Sequence, residues 1–450
     1  MNYTDVFPRV VPADTESEIR IHPRYEHAAF ADWTLAGVFC NPFDGLARNG
    51  AYAHFLKPDA HPADAWRLDG GDLVVRHHFA GEQEYNLTVA LHKPGDPKLA
   101  QTREFRVYAL QPDLFALRPF KGDFHIHTTR SDGRECPCYV AARYRQKGFD
   151  FAAITDHRRY EPSLEARDYW QPLGLEFKLY PGEEVHAPDN PVHIVNFGGS
   201  INVSRALRED EAAYRREVQA LLDALPDKKP NLNHFAVAAS EWVFDRIRAG
   251  GGLAVFCHPY WYTSQFVIDE GLTSEMFRRR AFDAFELLGG FYRYQFESNA
   301  LQVVRYYEEQ ARGNAFPVVG LSDSHGTDAF PQGQRFADSA DRDLFGWYYT
   351  IVLARSNTLP DIRDAVKAFR SVAVCAPAGD MPHLHGAFRM VKYATFLMRD
   401  YFPMHDVYCA EEGALMLDHL GGDRRAAGAL ARLKGRTADY LAASFGTPPT

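Results

Sequence analysis

The sequence predicts an α/β protein in three parts: a β-sandwich-like domain over 1–118, a body of repeated βα units over 119–380, and a helical appendage over 381–450. Three observations lead there. Before residue 118, short alternating runs are separated by Gly, Pro and Asp turn signals; from 121, apolar strands alternate with longer amphipathic stretches; beyond 381 the pattern is helical. A chain of 450 residues also exceeds one ordinary domain.

In the first part, "DLVVRHHF", "EYNLTVALH" and "TREFRVYAL" read as strands, punctuated by "AGEQ" and "KPGDPK". Strands at this close spacing form antiparallel sandwiches. "QPDLFALRPFKG" reads as a connector. The strands of the second part are "DFHIH", "FDFAAITDH", "FKLYPGEEV", "VHIVNFG", "GLAVFCHP", "FDAFELL", "FPVVGLSDSH" and "YYTIVLA", with helical patterns such as "REDEAAYRREVQALLDAL" and "ALQVVRYYEEQARG" between them. That alternation implies a mostly parallel sheet or barrel. The last part, with "GAFRMVKYATFLMRDYF" and "RRAAGALARLKGRTADYLAASF", is an appendage that packs on the barrel or covers its mouth.

Composition narrows the function. With 46% hydrophobic and 24% charged residues the chain reads as globular. A net charge of −9, without a long Lys/Arg run, argues against long nucleic acid as a partner but leaves a small anionic substrate open. The amino terminus lacks a secretory pattern, and no apolar run reaches the roughly 18 residues of a membrane span, so no membrane association and a cytoplasmic location are expected. Six scattered cysteines read as reduced thiols, and Cys136-Pro-Cys138 is spaced too tightly for the C-x2-C pair of a structural zinc site. No phosphate loop, dinucleotide fingerprint or nucleophile elbow is present.

The chemistry sits at the strand ends. In "GDFHIHTTRSDG", His125 and His127 share one face of an extended segment, and a polar turn carries Asp132. Further along come Asp156 and His157, Glu183 and Glu184, His193, His258, Asp323 and His325. In a βα barrel the carboxyl ends of the strands converge on one face. Imidazoles and carboxylates without thiolates suit zinc, manganese or iron, and the donors exceed what one ion uses, so two or three divalent ions are expected. Such ions activate water, and the chemistry is hydrolytic.

These motifs resemble the PHP family, the polymerase and histidinol phosphatase phosphoesterases: "HIHTTRSDG", "ITDH", "GEEV" with "HIVNFG", "FCHP" and "GLSDSHG", in order over about 120–330, with "LPDIRDAVKAFRSVAV" resembling the closing helix and strand. The resemblance implies a distorted, TIM-like (β/α)7 barrel and a trinuclear site. It implies that His125, His127, Glu184 and Asp323 hold one ion, that Glu184, His193 and His258 hold a second, and that Asp132, His157 and His325 hold the third. Glu184 is preferred over Glu183 because the family's ligand stands two positions after the glycine, here Gly182. Glu183 is then an orienting residue or a salt-bridge partner, and Asp123 and Asp156 orient neighbouring histidines. The chain departs from the family in "TDHRRY" and in its long β domain. Arg158 and Arg159 read either as phosphate binders or as an exposed basic pair, and Arg130 is open in the same way. The residues expected to act on the substrate are Arg158, Arg130, Asp323 and His325. His186 is a secondary candidate, and Glu286 a substrate or structural contact. The aromatics of "PYWYTSQF" and "FYRYQF" either stack on a ring or pack a lid.

The leading expectation is a metal-dependent phosphoesterase in which a metal-bound hydroxide attacks a small phosphorylated substrate; the general acid is not identifiable. An amidohydrolase-type enzyme also opens with H-x-H, but "ITDH", "GLSDSHG" and the missing bridging lysine weigh against it. A third reading makes the β domain a carbohydrate- or partner-binding module. Oligomeric state is not legible.

Overall fold

The structure, a computed structural model, describes residues 3–44, 61–226, 228–262, 265–290, 295–326, 344–377 and 380–446. By its internal contacts the chain divides into two compact units. One is Met1–Arg118 with Thr395–His405 and Gly435–Thr450; the other is Pro119–Ala394 with Asp406–Lys434.

The first unit contains strands β1 (Thr4–Phe7), β2 (Val10–Pro12), β3 (Thr15–Pro23), β4 (Thr34–Pro42), β5 (Ala65–Asp69), β6 (Asp72–Phe79), β7 (Gln83–Lys93) and β8 (Asp96–Leu110). They form two four-stranded sheets, ordered β1-β3-β6-β5 and β2-β8-β7-β4. Ile19 and Ile21, Leu73 and Val75, Leu87, Val89 and Leu91, and Val107 and Ala109 share one buried core. Each set occupies every second position of its strand, so one face of each sheet is apolar and the two faces close on each other. "KPGDPK" makes the turn from β7 to β8, with Gly95 at φ 81°.

The second unit contains β9 (Arg118–Asp123), β10 (Phe151–Ala152), β11 (Lys178–Leu179), β12 (Gly182–Val185), β13 (Ile194–Phe197), β14 (Leu253–Phe256), β15 (Ala284–Leu288), β16 (Val318–Gly320), β17 (Tyr348–Ala354), β18 (Ser371–Cys375) and β19 (His383–His385). They form a sheet ordered β11-β10-β9-β17-β18-β19 and another ordered β12-β13-β14-β15-β16. The expectation of one mostly parallel sheet or barrel needs correcting. Pairing is parallel from β9 to β11 and from β14 to β16, but antiparallel across β12, β13 and β14 and across β17, β18 and β19. The sheets do not close into one ladder. Among the described residues, isolated parallel bridges join the two sheets, His157 to Glu184 and Ile126 to Ser324, and β16 meets β17 and β18 through side chains, the Thr350 and Ser371 hydroxyls donating to the Gly320 and Val318 carbonyls.

Those bridges lie just past the strand ends, where β9 and β10 run out into loops. Helices such as His234–Ala249 and Glu270–Arg279 cover the five-stranded sheet, with Val243, Phe244, Met276 and Phe277 packed against Phe256 and Phe285. The residues expected as a separate appendage carry four helices, Phe388–Asp400, Phe402–Leu420, Ala426–Leu433 and Arg436–Ser444, which are apportioned between the two units and do not form a third. Long-range polar pairs account for this. In the second unit Arg145 donates to Glu412 and Lys121 to Asp406; in the first, Arg399 donates to Glu84 and the Tyr440 hydroxyl to the Tyr401 carbonyl. Among the described residues no helix is long and apolar enough to cross a membrane.

Candidate metal centre

Register brings the candidate ligands to one end of the second unit. His125 and His127 follow β9, His157 follows β10, Glu184 lies in β12, His258 follows β14, and Asp323 and His325 follow β16. His193 precedes its strand. It still reaches the same end because β13 runs antiparallel to both neighbours, pairing Ile194 with Val185 and with Phe256.

Glu184 is the hub. It is fully buried, and its Oε2 lies 2.5 Å from His157 Nδ1, 3.3 Å from His186 Nε2 and 3.5 Å from Nε2 of both His125 and His127. Its Oε1 lies 3.0 Å from His193 Nδ1 and 3.5 Å from His258 Nε2. Asp323 Oδ1 sits 2.9 Å from His127 Nε2 and 3.3 Å from His125 Nε2. Asp132 faces His325 Nε2 at 3.3 Å and His157 Nε2 at 3.4 Å. Donor atoms thus gather as His125, His127 and Asp323; as Glu184, His193 and His258; and as His127, Asp132, His157 and His325. His186 forms a further group with His157 and Glu184, and Glu286 one with His125 and His258.

The arrangement fits divalent ions. Nε2 of His125 and His127, Nδ1 of His193 and both carboxylate oxygens of Glu184 are buried without a hydrogen bond of regular geometry, although opposing atoms stand 2.5–3.5 Å away. Buried polar atoms are otherwise nearly always paired. Here lone pairs converge on shared space, as imidazole and carboxylate ligands do around zinc, manganese or iron.

Neighbouring bonds select the tautomers. His125 Nδ1 donates to Glu286 Oε2 at 2.7 Å, and His325 Nδ1 donates to the Asp323 carbonyl at 2.8 Å, so each Nε2 is left as the ligand atom. Backbone strain gathers at the same end, with Arg158 at φ 56°, His258 at φ 21° and Asp323 at φ 49°. Such conformations are unfavourable for residues other than glycine and persist where surroundings hold them. The Arg158 amide donates to the Glu184 carbonyl at 2.8 Å, and the His258 carbonyl accepts from Trp261 at 3.0 Å.

The carboxylates expected to steer histidine rings instead accept from main-chain amides and side-chain hydroxyls. Asp156 accepts from the Thr128 amide at 2.7 Å, the Thr128 hydroxyl at 2.6 Å and the Ser131 hydroxyl at 2.5 Å, pinning the turn that carries Asp132. Asp123 accepts from the amides of His125 and Ser322 and from the Tyr144 hydroxyl. Among the described residues Glu183 has no salt-bridge partner; it accepts from the Val203 and Ser204 amides at 2.7 and 2.9 Å and from Asn196 at 3.0 Å. Gly133 is required by contact. A Cβ there would lie 2.6 Å from the carbonyl carbon and oxygen of His127 and from the Thr128 nitrogen.

Charge follows burial and crowding. Burial alone would raise Glu184, yet His157, His186, His125 and His193 hold it well below the usual carboxylate range. Burial would lower His125 and His157, but Asp323 and Glu286 raise His125 well above its ordinary value, and Glu184 and Asp132 raise His157 to about 10. His127 is pushed down to about 3 by burial and by His325 and His157, and burial brings His193 to about 4.

The arginines divide. Arg130 forks onto Glu165, Nε to Oε2 at 2.9 Å and Nη2 to Oε1 at 2.7 Å, and is not brought to the cluster. Arg158 and Arg159 line a cavity of about 700 Å³ together with Asp132 and His157. Of the aromatic candidates, residues 263–264 and 291–294 lie outside the described residues. Sequence reasoning underrated Glu286, whose signal was a lone acid in the apolar run "AFELL", and it missed Arg208, which lines the same cavity.

No protein-family model and no curated protein matches the chain. The solved structures similar to it include the following three. A two-domain Bacteroides vulgatus protein containing a predicted PHP-like metal-dependent phosphoesterase shares 18% identity over 57% of this chain and 65% of its own, with a TM-score of 0.36. This chain therefore spans 65% of that protein's length. A Bifidobacterium adolescentis protein, provisionally assigned as a metal-dependent phosphoesterase, shares 21% identity over 49% of this chain and 93% of its own, with a TM-score of 0.32. An amidohydrolase from Chromobacterium violaceum, with sulfate and no metal, shares 18% identity over 45% of this chain and 87% of its own, with a TM-score of 0.31.

Proposed function

We propose that the chain is a metal-dependent phosphoesterase that hydrolyses a small phosphorylated substrate at a centre of two or three zinc, manganese or iron ions. The observation that carries this reading is the convergence of buried, unpartnered imidazole nitrogens on a shared carboxylate, Glu184, beside a cavity lined by Arg158. On this reading His125, His127 and Asp323 hold one ion, His193 and His258 a second, and Asp132, His157 and His325 the third, with Glu184 shared by the first two. Bound divalent ions supply a nucleophile from water at neutral pH and neutralise charge on phosphoryl oxygens. Glu286 and the Asp323 carbonyl hold the His125 and His325 rings in place through their Nδ1 protons. Arg158, on its strained turn, offers a planar pair of donors to a phosphate oxygen.

The PHP resemblance supports reading the two bridged sheets as parts of a distorted (β/α)7 barrel. Six scattered cysteines, too sparse for a disulfide framework in a chain of this length, suit a reducing, cytoplasmic location. The acidic net charge of −9 favours a small substrate over long nucleic acid.

The test is a panel of phosphomonoesters, phosphodiesters, amides and lactones, run after reconstitution with Mn, Zn or Fe and paired with elemental analysis. Turnover of phosphate esters is expected, and His127→Ala and Asp323→Ala should abolish it and lower bound metal. Turnover confined to amides or lactones would move the assignment to an amidohydrolase-type enzyme. Full activity in either variant would overturn the site.

A further inference from the structure

We propose that the cleft beside the metal centre carries a second anion-binding subsite, centred on Arg208 with Arg159, so that the substrate is a small phosphate ester bearing another anionic group on its alcohol portion. This rests on the phosphoesterase reading for the phosphate and names the substrate class of that site.

Two cavities meet at Arg208. The metal-side cavity, about 700 Å³, opens on Asp132 and His157 and is walled by Arg158, Arg159, Glu161 and Arg208. The adjoining one, about 660 Å³, shares Arg158, His186 and Arg208 and adds the apolar surfaces of Ala187, Pro188 and Leu207. Arg208 is held at the junction, because its Nη1 donates to the Arg158 carbonyl at 2.5 Å. The bond spends one of five guanidinium N–H donors and leaves the others available to a ligand.

The charge around this junction is unbalanced. Among the described residues no carboxylate lies within ion-pair distance of Arg158 or Arg159, whereas most arginines on this unit, Arg130, Arg145, Arg215 and Arg279 among them, are paired. Apart from metal-facing Asp132, Glu161 is the carboxylate lining the metal-side cavity; it accepts from Asn202 at 3.0 Å and lies 3.8 Å from Arg208. Asp189 and Glu211 line only the adjoining cavity and share Arg215, at 2.8 and 2.7 Å, which offsets one of their two charges. Three guanidinium groups facing one carboxylate across a concave surface concentrate positive potential where a ligand would enter.

One phosphate does not use this capacity. A phosphomonoester has three terminal oxygens, and on the phosphoesterase reading the metal centre and Arg158 would take them. Arg159 and Arg208 are then surplus, and their planar donor forks suit a carboxylate or a second phosphate.

The experiment measures binding with phosphonates, whose carbon–phosphorus bond is not an ester. Calorimetry on the Mn-loaded protein compares 3-phosphonopropionate and 4-phosphonobutyrate with propylphosphonate, for the natural chain and for Arg208→Met, Arg159→Met and Arg208→Lys. The natural chain should bind at least one carboxylate-bearing ligand about tenfold or more tightly than propylphosphonate, the gain expected of an added charge-assisted hydrogen bond. In Arg208→Met that ratio should fall towards one; Arg159→Met should reduce it, and Arg208→Lys should keep part of it. A ratio near one in the natural chain, or a ratio unchanged in Arg208→Met, would overturn the proposal. If the preference exists and depends on Arg208 while no phosphate ester is turned over, the phosphoesterase reading fails and the anion subsite stands. If esters are turned over and no preference exists, the subsite fails alone.

Discussion

Replacing Glu286 by glutamine tests whether the buried His125 ring serves as a metal ligand. Both side chains are fully buried, and their bond is 2.7 Å long. A carboxylate accepting the far N–H of a ligating imidazole fixes its orientation and raises its basicity, and losing such a partner typically lowers metal affinity about 10–100-fold. At about 1.4 kcal/mol per decade, that is roughly 1.4–2.8 kcal/mol. Glutamine still offers an oxygen to Nδ1 but no charge, so Glu286→Gln belongs at the lower end, near tenfold. Alanine leaves that N–H buried without an acceptor, adding about 1–3 kcal/mol, and belongs at the upper end or beyond. Proton competition works in the opposite direction. Against burial, Asp323 and Glu286 keep His125 protonated above its ordinary range in the metal-free protein, so an incoming ion must displace that proton. Removing Glu286 eases the displacement, and the deficit of Glu286→Gln should therefore be larger at pH 9 than at pH 7. Competition titration against a chromophoric chelator at both pH values measures it, with thermal unfolding as a check on folding. Equal affinity at pH 9, or tighter binding by the variant, would refute the assigned role of His125.

Other consequences can be checked separately. Gly133→Ala places a methyl group 2.6 Å from the backbone of His127 and Thr128, which cannot yield as a side chain would, so the Asp132 turn should shift and elemental analysis should find less metal bound per chain. His157, raised to about 10, is imidazolium at neutral pH in the metal-free protein; metal uptake should release protons into a weakly buffered solution, and affinity should rise with pH towards 10, by up to about tenfold per unit for this proton. The same shift stabilises the metal-free fold fully below the unfolded histidine value of about 6.5 and is lost as pH rises through about 10, so chelator-treated protein should lose this contribution over that window in denaturant melts. Glu412→Ala removes the nearer carboxylate of buried Arg145, whose Nε and Nη2 donate to Glu412 at 3.0 and 2.7 Å, and leaves Asp150 at 3.8 Å, so it should cost about 3 kcal/mol in urea unfolding, the lower end for a broken buried pair.

Which parts of this architecture a sequence can reveal depends on how local their causes are. The runs read as "DLVVRHHF", "GLAVFCHP" and "YYTIVLA" became strands because alternation and apolar content act within a few residues. His125, His127, His157, His258, Asp323 and His325 were legible for the same reason, since each follows its own strand. His193 was found for an incomplete reason: it precedes its strand, and only the antiparallel course of β13 returns it to the cluster. Strand direction is a long-range property. So are the capture of Arg130 by Glu165, 35 residues away, and the pairs that apportion the carboxyl-terminal helices, Arg145 with Glu412 and Arg399 with Glu84. Motif spacing says nothing about any of them. The sheet closure expected from the family pattern meets the same limit, because single bridges at Ile126 and His157 stand where continuous ladders were anticipated.

The electrostatics of the cluster bind these observations together. Glu184, Asp323 and Glu286 are buried carboxylates, and Asp132 faces the same histidines from a more exposed turn. Uncompensated, that charge would be costly. In the metal-free protein, protons on His125 and His157 offset part of it, which is why those two rings are raised while the more crowded His127 is pushed down to about 3. His258 is raised as well, and even three protons do not balance four carboxylates. Divalent ions would supply the remainder while displacing the protons, and the Glu184 oxygens and His193 Nδ1 that lack hydrogen-bond partners would become ligands. The strained backbone at His258 and Asp323 fits the same account, since side chains that must meet at one point leave the main chain little choice of conformation. A set of histidines buried only for packing would instead have neutral, hydrogen-bonded rings in relaxed backbone. Burial, orphaned lone pairs, raised imidazoles and strain therefore have one explanation if cations bind here, and need four separate ones if they do not.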